Sequence, residues 1–181
     1  MRQKIKSLKE KLTVQERLDA ANAVFSKLQQ TDVFLRADNI LLYHSLPDEL
    51  STALLIDYWH LRKRIFLPRV CGLELEILPY NGNNLKRGAY NIKEPQGESL
   101  HNISDIDLII VPAIAFDHNC NRVGRGKGYY DRLLSDITAV KIGIGYDFQL
   151  IEEDIAVEPH DICLDMVITP SYTIIHHDLN F

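Results

Sequence analysis

The sequence predicts a three-layer α/β/α domain with a mostly parallel sheet. Apolar runs at Asn39–Ser45, Arg64–Val70, Ile106–Val111, Val140–Tyr146 and Cys163–Thr169 alternate with helical patterns, an order that builds a parallel sheet covered on both faces. The Ile106–Val111 run (IDLIIV) is almost wholly apolar, as a central parallel strand must be. The 181 residues are 46% hydrophobic and 25% charged, which is one domain's length of chain with enough apolar side chains for a core.

Taken in order, Ile5, Leu8 and Leu12 share one face of a first helix. Thr13 followed by Glu16 is a capping box that starts a second helix, along which Leu18, Ala21, Phe25 and Leu28 keep helical spacing. After the Asn39–Ser45 strand, Ser51–Lys63 is expected as a helix with Leu54, Leu55, Tyr58 and Leu61 on one side. Arg64–Val70 and Leu73–Tyr80 are expected strands, the second with moderate alternation. The polar stretch 81–101 is long for a structureless connection, which points to a functional or mobile loop. Tyr129–Asp136 (YYDRLLSD) completes the helices. The chain is thus expected as one domain over 1–181, with N-terminal helices in 1–30 and a mobile substrate loop at 81–101. In such sheets ligands bind beyond the carboxyl ends of the strands, so loops 44–52, 112–128 and 146–161 are the places to look.

Charge and cysteine content exclude several classes. Residues 1–11 carry five cations against Glu10 alone, a net of +4, which leaves −9 on the rest of a chain of net charge −5. An acidic body repels phosphate over most of its surface, so no nucleic-acid partner is expected. No apolar run approaches the ~20 residues that span a bilayer, and the charged start MRQKIKSLKEK lacks the apolar segment of a secretory signal. Cys71, Cys120 and Cys163 are widely spaced and suit a reducing compartment. A cytoplasmic monomer acting on small molecules, with no membrane partner, is the expectation.

The most informative segment is Arg122-Val123-Gly124-Arg125-Gly126-Lys127-Gly128-Tyr129-Tyr130. It follows the strongest strand and enters a helix. Glycines at alternate positions leave backbone N–H groups bare to a ligand. Arg122, Arg125 and Lys127 add positive charge, and the helix start adds a partial one. The combination suits a polyphosphate cradle. It is not a Walker A loop, because Gly126-Lys127 precedes glycine instead of serine or threonine. The plainer reading is a basic surface turn.

Asp131, one turn into that helix, either complements the helix dipole or holds Mg²⁺ beside phosphate oxygens. Asp161, in Glu158-Pro159-His160-Asp161, is a turn residue taken alone. Glu49, in His44-Ser45-Leu46-Pro47-Asp48-Glu49, either starts the next helix or accepts hydrogen bonds from an amidine-like heterocycle edge. Tyr90 either anchors its loop or stacks on a flat ligand.

With these residues in view, the chain from about residue 2 to 169 resembles the 5-formyltetrahydrofolate cyclo-ligases (5,10-methenyltetrahydrofolate synthetases). The most specific part is RVGRGKGYYDRLL (Arg122–Leu134), preceded by VPAIAFD (Val111–Asp117). YHSLPDELST (Tyr43–Thr52), FLPRV (Phe66–Val70), Tyr146–Gln149 and EPHDICLDMVIT (Glu158–Thr169) support it in the same order. The resemblance implies ATP- and Mg²⁺-dependent closure of 5-formyltetrahydrofolate to 5,10-methenyltetrahydrofolate, releasing ADP and phosphate. It implies ATP as co-substrate against Arg122 to Tyr130, metal at Asp131 and Asp161, and folate at His44 and Glu49. Tyr90 stands where the family often has a tryptophan near the pterin, and Arg125, Gly126, Lys127, Gly128 and Tyr129 face both ligands. The family's N-terminal Lys-x-x-Leu-Arg motif, which helps hold the nucleotide, is incomplete. Arg2 matches its arginine and Met1 stands in the leucine place. Either the chain starts further upstream or Lys4 or Lys6 replaces the lysine.

Two other classes fit the same residues: an enzyme handling phosphate esters or coenzyme A on a similar scaffold, and a non-catalytic folate or nucleotide carrier. Asp131 and Asp161 brought together around Mg²⁺ would favour the ligase.

Overall fold

The computed structural model describes residues 1–88, 92–100 and 102–177. It opens with helices α1 (Arg2–Lys11), α2 (Val14–Leu28) and α3 (Asp32–Arg36), followed by strand β1 (Asn39–Leu41) and helix α4 (Ala53–Trp59). Strands β2 (Arg64–Cys71) and β3 (Glu74–Pro79) form a hairpin, and β4 (Leu85–Arg87) with β5 (Lys93–Pro95) form a second one. Then come β6 (Leu108–Val111), the short antiparallel pair β7 (Ala115–Phe116) and β8 (Arg122–Val123), and helix α5 (Tyr129–Ser135). Strands β9 (Val140–Ile144), β10 (Met166–Ile168) and β11 (Thr173–Ile175) close the order.

The main sheet runs β11-β10-β9-β6-β1-β2-β3. The pairs from β10 through β2 are parallel, and both edges, β11 and β3, are antiparallel. Because side chains alternate along a strand, the sheet feeds two cores. Ile40, Ile65, Leu67, Leu108, Ile110, Ile142, Ile144, Met166 and Ile168 pack with Ala21, Val24, Phe25 and Leu28 of α2, Phe34 of α3 and Leu55 and Ile56 of α4. Leu41, Phe66, Ile109, Val111 and Val167 pack on the other face with Leu133 and Leu134 of α5. All four residues of β6 are buried, as its composition requires. The expected α/β/α layering is present, with a sheet that is mixed at its edges.

Several local expectations need correction. The helix expected over 51–63 is confined to Ala53–Trp59, and it buries Leu55 and Ile56, whereas Leu54, Tyr58 and Leu61 are exposed. With so few turns, packing against α2 and α3 sets the buried face, and spacing sets it only weakly. Leu18 is likewise exposed on α2. The stretch 81–101 carries the β4–β5 hairpin in its described part. The Thr13 capping box is formed: Thr13 Oγ1 accepts from Glu16 N at 3.2 Å, and the Glu16 carboxylate accepts from Thr13 N at 2.8 Å. No helix among the described residues is long and apolar enough to cross a membrane.

Thr13→Ala removes one half of this reciprocal cap. It should lower unfolding stability by about 1 kcal/mol in denaturant melts, with little change in Glu16→Gln, where the amide oxygen still accepts.

Candidate functional site

From β1 the chain winds outward to β2 and β3, returns to β6 on the opposite side of β1, and continues to β9 and β10. At such a reversal the loops leaving two adjacent parallel strands diverge and open a crevice at their carboxyl ends. A cavity of about 480 Å³ lies in that position. The loop after β1 contributes Tyr43, His44, Asp48 and Glu49, and the loop after β6 contributes Arg122 and the run from Gly124 to Asp131. Pro68, Val70 and Leu75 of the β2–β3 hairpin, with Ile92 and Glu94, form the third wall.

The loop after β6 is built, not slack. Asp117, almost fully buried, accepts from Asn119 N, Asn121 N and Ile155 N at 3.0, 2.8 and 2.9 Å. Buried Gln149 donates to Ala113 O at 2.9 Å and Ile114 O at 3.0 Å. The β7–β8 pair holds Val123, whose carbonyl accepts from Ile114 N at 2.7 Å, so Val123 does not line the cavity. Beyond it Gly126 and Gly128 adopt φ of 80° and 66°, a region that costs other residues about 1 kcal/mol. Among the described residues, the N–H groups of Gly124 to Gly128 donate to no protein acceptor, so they are available to a ligand. Helix α5 is only seven residues long, so these amides matter more here than a helix dipole does.

The three cations are not equivalent. Arg122 is buried (side chain 4% exposed) and pairs with Asp131 Oδ1, and its Nε has no hydrogen-bond partner among the described residues. Arg125 reaches across the crevice to Asp48 Oδ1 at 2.7 Å and Glu49 Oε1 at 3.1 Å. Burial alone would lower the Arg125 pKa, but these two carboxylates outweigh it and hold it above the ordinary value. Lys127 is exposed and makes no ion pair among the described residues. A half-exposed pair contributes at most about 1 kcal/mol, whereas separating a buried pair costs several times that. Arg125 is therefore the cation that can change partners, and Arg122 stays with Asp131.

The cavity wall carries four acids, Asp48, Glu49, Glu94 and Asp131, against the three cations. Tyr43 and Tyr130 also face it, and burial, then the Glu49 charge, pushes both hydroxyls up, so they remain protonated. His44 is held below its ordinary pKa by burial first and by Lys93 next, so it is neutral at pH 7.

The structure brings together most of the residues singled out in the sequence, but not all. His44, Glu49 and the Arg122–Asp131 run, Val123 excepted, line one cavity. Arg2 joins them from outside, donating from Nη1 to Gly124 O at 2.6 Å. Lys4 and Lys6 are exposed and do not line the cavity, and Lys6 lies 3.9 Å from Glu10. Asp161 is exposed and also lies off the lining; it accepts from Glu158 N at 2.8 Å, which is its turn role. Among the described residues no group of three or more His, Cys, Asp or Glu could hold a metal; Asp131 lines the cavity and Asp161 is not among its lining residues. Tyr90 lies outside the described residues.

Two participants were missed. Asp48 shares Arg125 with Glu49, and a run of two acids at a strand's carboxyl end was signal enough to name both. Lys9, 3% exposed, sits 3.9 Å from Asp48; burial lowers its pKa and the Asp48 and Glu49 charges oppose that shift. Its position four residues after buried Ile5 places it on the inward face of α1.

Residues 1–170 match the sequence model of the 5-formyltetrahydrofolate cyclo-ligase family. The chain belongs to that family. The Escherichia coli 5-formyltetrahydrofolate cyclo-ligase is 28% identical over 187 residues, covering 92% of this chain and 97% of the relative. The Mycolicibacterium smegmatis enzyme of the same name is 35% identical over 135 residues, 69% of each chain. The solved structure of Aquifex aeolicus 5,10-methenyltetrahydrofolate synthetase superimposes with a TM-score of 0.88 at 32% identity, covering 99% of this chain and 93% of that one. Membership in the cyclo-ligase family makes the protein an enzyme of the ligase class.

In an NMR titration His44 should have a midpoint below 6.5. Lys93→Ala should move it upward part of the way, because burial remains. The neutral form is favoured on folding, so the unfolded chain binds more protons between the lowered midpoint and 6.5. Stability should accordingly fall as pH drops through that window, and a His44 midpoint at or above 6.5 contradicts this geometry.

Proposed function

We propose that the protein closes 5-formyltetrahydrofolate to 5,10-methenyltetrahydrofolate at the expense of ATP, in the cavity between the loops after β1 and β6. The observation that carries this reading is the run of unpaired amides at Gly124 to Gly128, set opposite Glu49 across one cavity of a cyclo-ligase fold. A triphosphate fits the amide-rich side, with Lys127 free to meet it and Arg2 supporting the loop from behind through Gly124. The folate ring fits the β1 side, where Glu49 can accept paired hydrogen bonds from the pterin's amidine edge and neutral His44 lies beside it.

Ion-pair exchange links the two halves. Glu49 and Asp48 neutralise Arg125. A pterin edge that takes Glu49 removes one of those partners, and phosphate oxygens offer Arg125 a stronger one. The half-exposed Arg125–Asp48 pair contributes little, and nearly buried Glu49 exchanges Arg125 for the pterin edge without being left unpaired, so the exchange favours simultaneous occupancy by both substrates.

The chemistry follows from the weakness of a formamide as an electrophile. Phosphoryl transfer from ATP to the formyl oxygen breaks the γ-phosphate bond to ADP and turns that oxygen into a leaving group. The carbon becomes iminium-like, N10 attacks it and loses its proton to solvent, and phosphate departs as the methenyl bridge forms. The protein's contribution is positioning and screening of phosphate charge by Arg125, Lys127 and the bare amides. Asp131 fits a role beside a nucleotide-bound Mg²⁺: Oδ1 pairs with Arg122, and the other carboxylate oxygen accepts nothing among the described residues. Magnesium commonly takes one or two carboxylates with phosphate and water oxygens, and would supply further charge neutralisation.

The test follows methenyltetrahydrofolate absorbance while protein, 5-formyltetrahydrofolate, ATP and Mg²⁺ are each omitted in turn. Product should require all four, and folded protein giving none overturns the reading. Lys127→Ala should raise the KM for ATP about tenfold, the scale of one charge-assisted contact, with thermal stability nearly unchanged. Asp131→Asn should lose rate that higher Mg²⁺ partly restores; a loss indifferent to Mg²⁺ assigns Asp131 to holding Arg122 alone.

A further inference from the structure

Helix α1 carries a buried cation that the proposed reaction does not use. Lys9 is 3% exposed, on the inward face of α1 with Ile5, the other buried residue of that helix. Its ammonium lies 3.9 Å from Asp48 Oδ2, and among the described residues it has no other ion pair and donates no hydrogen bond. Arg17 of α2 fixes the backbone there. It donates to Lys9 O, and from Nη1 to Pro47 O at 3.3 Å and the Tyr146 hydroxyl at 3.5 Å. The groups whose charge reaches Lys9 are Asp48 and Glu49 on the loop after β1, Arg125 on the loop after β6, and Arg17.

Burying an ammonium without hydrogen bonds is costly, and replacing a buried ion by an apolar side chain of similar size is often neutral or stabilising. Folding alone gives no reason to keep a charge at this position. Asp48 already has a counter-ion in contact, because Arg125 Nη2 reaches its two oxygens at 2.7 and 2.9 Å. Lys9 stays beyond hydrogen-bond distance of the same carboxylate. Asp48 therefore has one cation bound and a second held close behind it.

We propose that Lys9 is a positioning residue for nucleotide binding, which takes over Asp48 when Arg125 turns from the two acids to the triphosphate. The inference rests on the proposed function, which gives Arg125 to phosphate and Glu49 to the pterin. In that exchange Glu49 gains a new partner and Asp48 does not. Without Lys9 the Asp48 charge would draw Arg125 back and repel the phosphates; with Lys9 it stays neutralised inside the protein. Lys9 does not line the cavity, so it acts through Asp48 and Arg125 and not on substrate. The two ends of α1 then serve one loop: Arg2 holds the Gly124 carbonyl, and Lys9 holds the acid that competes for Arg125.

The experiment measures KM for ATP, KM for 5-formyltetrahydrofolate, kcat and melting temperature in the full-length protein and four variants: Lys9→Met, Lys9→Arg, Asp48→Asn and Lys9→Met/Asp48→Asn. Lys9→Met should raise KM for ATP about three- to tenfold, with KM for the folate and kcat within about twofold of wild type. Its melting temperature should hold or rise. Lys9→Arg keeps the charge and should recover most of the ATP affinity. Asp48→Asn removes the charge that Lys9 answers, so adding Lys9→Met to it should raise KM for ATP no further, a coupling that a purely structural role would not give. An unchanged KM for ATP in Lys9→Met overturns the positioning role. An ATP defect that persists undiminished in the double variant, or a Lys9→Met chain that does not fold, assigns Lys9 to the docking of α1 and also overturns it. Each of these results leaves the proposed function standing. A wild-type chain that forms no ATP-dependent product overturns the proposed function, and this inference with it.

Discussion

The pairing of Arg125 with Asp48 and Glu49 joins the two loops that make the site, and those loops leave neighbouring parallel strands in opposite directions. The same contact holds two acids and a guanidinium in a partly desolvated space without leaving any of them unpaired. It is also weak enough to be exchanged for ligand. Buried Lys9 extends the arrangement to α1, because its ammonium adds a second counter-charge for Asp48. The docking of the N-terminal helix is thus electrostatically tied to the cavity floor.

The contrast between Arg122 and Arg125 shows how burial sorts side chains of identical charge. Both stand in one glycine-rich segment. Arg122 is enclosed and locked to Asp131 nine residues later, so it shapes the start of α5. Arg125 is open to solvent along part of its length and keeps its freedom. Arg132, from the same helix, donates to Leu73 O and Lys127 O, and Tyr129 donates from its hydroxyl to Gly72 O at 3.3 Å. The cradle is therefore braced against the β2–β3 turn from one side and against Arg2 from the other.

Much of this was legible in the sequence because the signals were local. Four consecutive apolar residues identified β6, the Thr13–Glu16 spacing identified the start of α2, and glycines alternating with cations identified the cradle. What was not legible depends on partners distant in the chain. The antiparallel edges β3 and β11 have strand-like patterns that carry no mark of direction. The buried face of α4 is chosen by Phe34 and the α2 core, which the spacing of Leu54, Tyr58 and Leu61 cannot register. The neutralisation of Arg125 involves residues more than seventy positions away, so three formal charges in a row overstated the cradle's field. Asp161 matched a family pattern, and in the structure it sits in a local turn with Glu158, whose backbone N–H its carboxylate accepts.

The alternation along β5 ties the character of the site cavity to that of a neighbouring chamber of about 500 Å³, which Lys86, Arg87 and Lys93 line. Because Lys93 faces that chamber and Glu94 the site, a single-residue insertion ahead of them would exchange their positions, giving the neighbouring chamber a carboxylate and the site an ammonium. The hydrogen bond that Glu94 accepts from Val70 N at 3.2 Å would be lost in the same event, since only Glu94 can accept from that amide. Neither compartment can therefore drift in polarity by changes of length in this ribbon; its chain length is constrained even though it lies at the periphery of the fold, and variation here is confined to substitutions that keep the parity of the strand.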